Sequence, residues 1–414
     1  MPLKVRLHDQ AVGELWLQDG RFCFQYSDDW LTSKKRVAIS AALPLMDKVF
    51  DDMRVEAFFD GLLPESPIRE KVAKNLRLNV ADREAMLSAL GGDCFGAVHF
   101  GRARAKSVAS DGTEALAPAQ VLQLIEQVDR FPLFAGMPNV SQSIASDIPV
   151  VGVYVSGGKI SLPENDQYST HWLMAGQGQS AFELLNRQFC ADLASEVGIA
   201  VAKHTPIEVG SKKALLIERI DRAVNKNGQV HAVHHEDFCQ AMGVPFAKKY
   251  QQAGGPDAIE CGALVRRACG ADDDELWRFI RQLVFNALIG NHRAHTRTYA
   301  LDHAYHTARL ARQQWIECTA LEIGSSNLLA HKINTEQDFE NLRMHHWIRL
   351  TAPFGFSGQD TRRVFEALVA GVRQALPKVI QSKKRYQGND EIALIAQLIE
   401  RRTSRQHWGD LSKG

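Results

Sequence analysis

Residues 150–162 read VVGVYVSGGKISL, two valine- and isoleucine-rich stretches on either side of a Gly-Gly pair. β-branched residues favour extended backbone, and paired glycines supply the positive φ that a tight turn needs, so the segment predicts two strands joined by a hairpin. Downstream, Phe182, Leu185, Phe189, Leu193 and Val197 fall at steps of three and four. That is the spacing of one helix face, and Gly198 ends the run. TPIEVG (205–210) and KALLIERI (213–220) predict a second strand pair, joined by Ser211-Lys212. Beyond 230 the pattern turns mostly helical, most strongly at 275–289, 361–375 and 390–402. A β-rich segment followed by a large helical one is an α+β arrangement.

Upstream the order repeats on a smaller scale. Residues 3–8, 13–18 and 21–26 alternate apolar and polar, with Asp19-Gly20 between the last two, which predicts a hairpin. From Val55 to Val80 the spacing is helical, and Asp82 is placed to cap the segment carrying Met86, Leu87 and Leu90. Residues 105–118 (AKSVASDGTEALAP) have the composition of a connection. The expected organisation is therefore 1–105, a β-rich then helical subdomain; 106–230, a small β-rich lobe with its linker; and 231–414, a large helical lobe.

Composition excludes several functions. Lys and Arg number 49 against 48 Asp and Glu, so there is no global charge to draw the chain onto nucleic acid or an anionic membrane. The basic KKRY at 383–386 reads as a solvated helix end. The seven cysteines are scattered, without a C-x-x-C pair, which argues against a disulfide framework or a zinc site. No apolar run approaches the ~20 residues that span a bilayer, and no leader-like segment opens the sequence, so the expected location is the cytoplasm.

Several segments resemble, in order, landmarks of the HipA family of toxin-type serine/threonine protein kinases. They are AISAALPL (38–45), FFDGLLPES (58–66), LGGDCFGAVHF (90–100), STHWLMA (169–175), KALLIERIDR (213–222), VHHEDFCQAMG (233–243), KKYQQAGGP (248–256) and VFNALIGNHRAHTRTYAL (284–301). The resemblance implies a two-lobed protein-kinase-like fold. It also implies a small helix-turn-helix antitoxin as partner and, through it, operator DNA; a related kinase is another expected partner.

Phosphoryl transfer needs a cation on the phosphates, a carboxylate to orient it, a base for the attacking hydroxyl and ligands for Mg²⁺. The resemblance places the phosphate-binding lysine at Met174, the helix acid at Arg187, the catalytic base at Arg293 and the Mg²⁺-binding amide at Thr298. The last metal ligand aligns with Glu322, a carboxylate one methylene longer than the family's aspartate. A thioether cannot pair with phosphate, and a guanidinium stays protonated at any working pH and cannot accept a proton. The phosphate-covering loop resembles residues 143–150, where the family's glycine and lysine are missing; Ser143 stands at the autophosphorylated serine. Glu218 and Ile220 align with the hinge that would meet adenine, a nucleotide-pocket remnant.

These replacements predict a catalytically inactive, pseudokinase-like binding or regulatory protein with no metal and no required cofactor. Two alternatives stay open: a retained Ser/Thr kinase toxin using ATP and Mg²⁺, and a transferase with rerouted chemistry. In the latter, Arg187, Arg293 and Arg297 would favour an anion, and Asp147, Asp302 or Glu322 would supply a carboxylate. Arg293 either binds an anion or pairs with a carboxylate such as Glu322. His292 and His295 sit close in sequence, but the resemblance makes His295 a structural residue of the loop rather than a metal ligand.

Overall fold

The computed structural model describes residues 2–100, 114–163, 167–176, 181–226, 229–303, 307–322, 324, 328–404 and 408. The expected connection at 105–118 therefore lies largely outside the described residues. The chain packs as two compact units: residues 1–184, 205–246 and 302–306 form the first, and residues 185–204, 247–301 and 307–414 the second.

In the first unit β1 (Leu3–Leu7), β2 (Gln10–Gln18) and β3 (Arg21–Tyr26) make an antiparallel sheet that β4 (Val98–Phe100) closes in the order β3-β2-β1-β4. Gln18 pairs with Arg21 across the expected Asp19-Gly20 turn, where both residues have positive φ. The helical spacing over 55–80 resolves into two helices, α1 (Met53–Asp60) and α2 (Ile68–Leu76). Pro64 and Pro67 lie between them and lack the N–H that a continuous helix would use. α3 (Arg83–Leu90) starts as the sequence predicts, with Asp82 accepting from the Ala85 N–H.

After α4 (Pro118–Gln127) comes a five-stranded sheet: β5 (Val150–Ser156), β6 (Lys159–Ser161), β7 (His171–Ala175), β8 (His204–Val209) and β9 (Lys212–Glu218), in the order β6-β5-β7-β9-β8. The hairpin read from 150–162 is β5-β6, turning on Gly157 and Gly158 at φ +56° and +78°. One sheet face carries Val151, Val153, Leu173, Ala175, Ala214 and Leu216, and α4 buries Val121, Leu124 and Ile125 against it. At ~25 cal/mol per Å², such apolar burial is what holds a helix to a sheet.

Within this unit a buried charge network joins two of the landmark segments. Asp93 meets Arg219 at 3.1 Å and Arg222 at 2.5 Å, while Asp221 meets the same two arginines at 2.7 and 2.6 Å. All four side chains are 3% exposed or less, and the formal charges cancel. The Arg219 guanidinium also lies 4.2 Å from the Trp172 ring centroid.

The second unit is built from α5 (Ala181–Glu196, from residue 185 onward), α6 (Ala258–Ala268), α7 (Asp273–Ile289), α8 (Met344–Thr351), α9 (Gly358–Ser382) and α10 (Asp390–Arg402). Helix–turn chemistry follows the sequence: Asp272 caps α7, and Gly290, in left-handed conformation, ends it. The region beyond 230 is less uniformly helical than its spacing suggests. Leu328–Ile333 and Glu336–Asp338 form a hairpin around Asn334, whose φ is +57°. No helix among the described residues is long and apolar enough to cross a membrane.

Candidate functional site

Met174 lies in β7 between Val150 and Leu215 and is fully buried. Glu218, at the end of β9, pairs in register with His171, and Ile220 is buried just beyond. Ser143 is also fully buried: its Oγ donates to the Leu62 carbonyl at 2.5 Å and its N–H to the Asp93 carbonyl at 3.1 Å. Asp147 is exposed, and Asp302 accepts from His235 Nδ1 at 2.7 Å.

The second unit brings Arg187, Arg293, Thr298 and Glu322 to one place, with one residue that the sequence reading missed. α5 delivers Asn186 and Arg187 side by side. The Asn186 carboxamide accepts from the Cys318 N–H and donates to the Cys318 carbonyl, both at 2.8 Å. That double bond fixes the chain at 317–318 against the helix. Arg187, with no exposed surface, then meets Glu317 Oε2 at 2.7 Å. Glu317 turns its other oxygen toward Arg293, 3.7 Å away, and Arg293 in turn reaches Glu322 Oε2 at 2.8 Å. The result is a ladder of alternating charge, Arg187, Glu317, Arg293, Glu322, buried at the first end and about half exposed at the last.

The loop that carries Arg293 is held from several sides. Gly290 accepts from the Thr319 and Ala320 N–H groups, and Thr319 Oγ1 accepts from the His292 N–H at 2.8 Å. Thr298 Oγ1 donates to the Arg293 carbonyl at 3.0 Å. Arg402 of α10 is fully buried, donates to the Ala287 carbonyl at the C-terminal end of α7 and approaches His292 Nε2 at 3.4 Å. Removal from water pulls its pKa down to about 10. The sequence reading missed Arg402 as well.

His295 packs edge-on against Tyr250, ring centroids 4.9 Å apart. Burial first, then the charges of Lys249 and Arg297, hold its imidazole well below the usual 6.5. A neutral ring in that setting serves the loop's packing. No group of three or more His, Cys, Asp or Glu among the described residues could hold a metal ion.

The ladder also decides how well Mg²⁺ fits. A hard divalent cation wants a shell of oxygen ligands. Here the Glu322 carboxylate that the resemblance assigns to the metal is paired with a guanidinium, and a second guanidinium lies behind Glu317. The residues do not suit the ion. A local signal for Glu317 is absent from the sequence; the one indirect clue is that a cation at 187, on a buried helix face, requires an acid from elsewhere in the fold.

Comparison with known proteins agrees with the resemblance. A family model for the HipA N-terminal domain matches residues 3–101, and one for the HipA-like C-terminal domain matches residues 156–376. A putative kinase, Y4mE, of Sinorhizobium fredii is 28% identical over 386 residues, covering 92% of each chain. The serine/threonine-protein kinase toxin HipA of Shewanella oneidensis is 26% identical over 320 residues, covering 72% of this chain and 71% of its own. A chain from the solved complex of the Shewanella oneidensis MR-1 toxin–antitoxin proteins HipA and HipB with operator DNA superposes with a TM-score of 0.84 at 21% identity. It covers 99% of this chain and 98% of its own, a likeness of fold. With the two domain models matched in chain order, and the second covering residues 156–376 of 414, the protein belongs to the HipA family.

Proposed function

We propose that this HipA-family protein is catalytically inactive and works as a binding or regulatory component, partnered by a small helix-turn-helix protein and through it by operator DNA. The observation that carries the reading is the charge ladder. At the position of the catalytic base stands Arg293, a group that cannot take a proton, and it is neutralised by Glu322, the carboxylate that would otherwise meet Mg²⁺. Loss of a positioned base alone removes ~10²–10⁴ in rate. A divalent cation 4 Å from the guanidinium would meet roughly 8 kcal/mol of repulsion at an effective dielectric of about 20, and Glu322, the carboxylate that would offset it, is already paired with Arg293. The buried, apolar Met174 offers no charge for phosphate. The partner is supported by the HipB and operator DNA in the complex with which the fold superposes.

A second reading, a Ser/Thr kinase that uses ATP and Mg²⁺, draws on the kinase names of the relatives and on the carboxylate retained at Glu322. Calorimetry and a phosphate-transfer assay with ATP and Mg²⁺ separate the two. The inactive reading expects no Mg²⁺-dependent heat and no transfer. Transfer that disappears in Glu322→Ala would establish the kinase instead. Co-purification with a small DNA-binding protein encoded beside this chain tests the partner, and failure to associate would remove the regulatory role.

A further inference from the structure

We propose that Arg293 is the resident cation of this site, a tethered guanidinium that occupies the place of a divalent ion and keeps the site permanently loaded. The inference rests on the inactive reading above and deepens it: the site has exchanged a dissociable ion for a covalently attached one.

The geometry points to this in three ways. Two carboxylates from different turns of chain converge on Arg293, Glu322 at 2.8 Å and Glu317 at 3.7 Å. Arg187 neutralises one of them from behind, so the four charges sum to zero with Arg293 in place. Removing the Arg293 charge would leave a net negative site with one carboxylate, Glu322, 42% exposed at its mouth. Finally, the loop around Arg293 is pinned by neutral hydrogen bonds from Thr298, Thr319 and Ala320, so its conformation does not depend on an added ion.

A bound ion would make the site respond to the supply of metal and nucleotide; a tethered one does not. The charge balance of the ladder is thus the same whatever metal the surroundings offer.

The test uses the 414-residue chain and Mn²⁺, which carboxylates accept readily and whose free form is visible by electron paramagnetic resonance. The wild type should leave the free Mn²⁺ signal unchanged and unfold at the same temperature in EDTA and in Mn²⁺. Arg293→Ala should deplete the signal and gain thermal stability with Mn²⁺, and Arg293→Ala/Glu322→Gln should lose both effects. Arg293→Lys, which keeps a tethered cation, should behave like the wild type. Stoichiometric Mn²⁺ uptake by the wild type or by Arg293→Lys overturns the proposal, as does a folded Arg293→Ala protein that takes up none. Phosphate transfer by the wild type overturns the inactive reading and the proposal with it, whereas Mn²⁺ uptake by the wild type without any transfer overturns the proposal alone, so the two failures are distinguishable.

Discussion

Arg187 and Glu317 form an ion pair of 2.7 Å with the arginine wholly out of water, and its polarity is the reverse of the one the family resemblance gives to position 187. Such a pair adds little net stability when whole and is costly when halved, because the remaining charge stays buried. Arg187→Ala or Glu317→Ala should each lose about 3–5 kcal/mol in denaturant unfolding. The exchanged double variant Arg187→Glu/Glu317→Arg should recover much of that loss, and Arg187→Met/Glu317→Leu should be near neutral. A cycle that shows additive losses would mean the two side chains do not depend on each other.

At the other end of the ladder the same chemistry is worth far less. Arg293 and Glu322 are 48% and 42% exposed. Solvent screening limits such pairs to about 0–1 kcal/mol, so Arg293→Ala and Glu322→Ala should unfold within ~1 kcal/mol of the wild type.

Stability should fall in mild acid. Burial holds His204 and His331 at about 4, and His234 and His295 well below 6.5. Each is neutral in the fold and free to protonate once unfolded, so the unfolded chain binds more protons below pH 6.5 and stability declines as pH falls through that range. With the imidazole held at about 4 in the fold, His204 and His331 each contribute a loss of roughly 2 kcal/mol between pH 7.5 and pH 5. Urea midpoints measured across this interval should drop, and His204→Gln should flatten the slope.

Gly290 holds the entrance to the loop of Arg293 at φ +76°, and a Cβ there would lie 2.7 Å from Ala320 Cβ and 2.9 Å from Leu398 Cδ2. Gly290→Ala should cost ~1–2 kcal/mol from left-handed backbone alone, with the crowding added to it. Hydrogen exchange should quicken at 290–298 and at 319–320, where the N–H groups bond to Gly290.

All seven cysteines are buried and free. Loss of water raises Cys269 and Cys318 to about 11, and burial pushes Cys190 and Cys261 up as well. An aromatic disulfide reagent should therefore react slowly with the native protein at neutral pH and with seven thiols after denaturation.

Much of the fold was legible wherever one period ran long enough. The β5-β6 hairpin announced itself through valines and Gly157-Gly158, and α10 through the helical spacing over 390–402. The hairpin around Asn334 was hidden because its second strand, Glu336–Asp338, is too short to show an alternation. In the site, Arg293 and Thr298 were visible as changed residue types inside a segment that resembles the family's, and Arg187 through the same resemblance. Glu317 was not, since an ion-pair partner far along the chain leaves no mark on local spacing. Arg402 was hidden for a related reason: in an amphipathic helix an arginine reads as solvent-facing, and only packing reveals that this one points inward.

The double hydrogen bond from Asn186 to the Cys318 backbone has a consequence for descent. It sets position 187 opposite position 317 without reference to either side chain, so the two can change identity while remaining neighbours. Yet either charge lost alone costs about 3–5 kcal/mol in a molecule whose whole stability is of order 5–15 kcal/mol, and reversing one alone would bury two like charges together. Arginine at 187 and an acid at 317 should accordingly be inherited together, and lineages that carry one should carry the other.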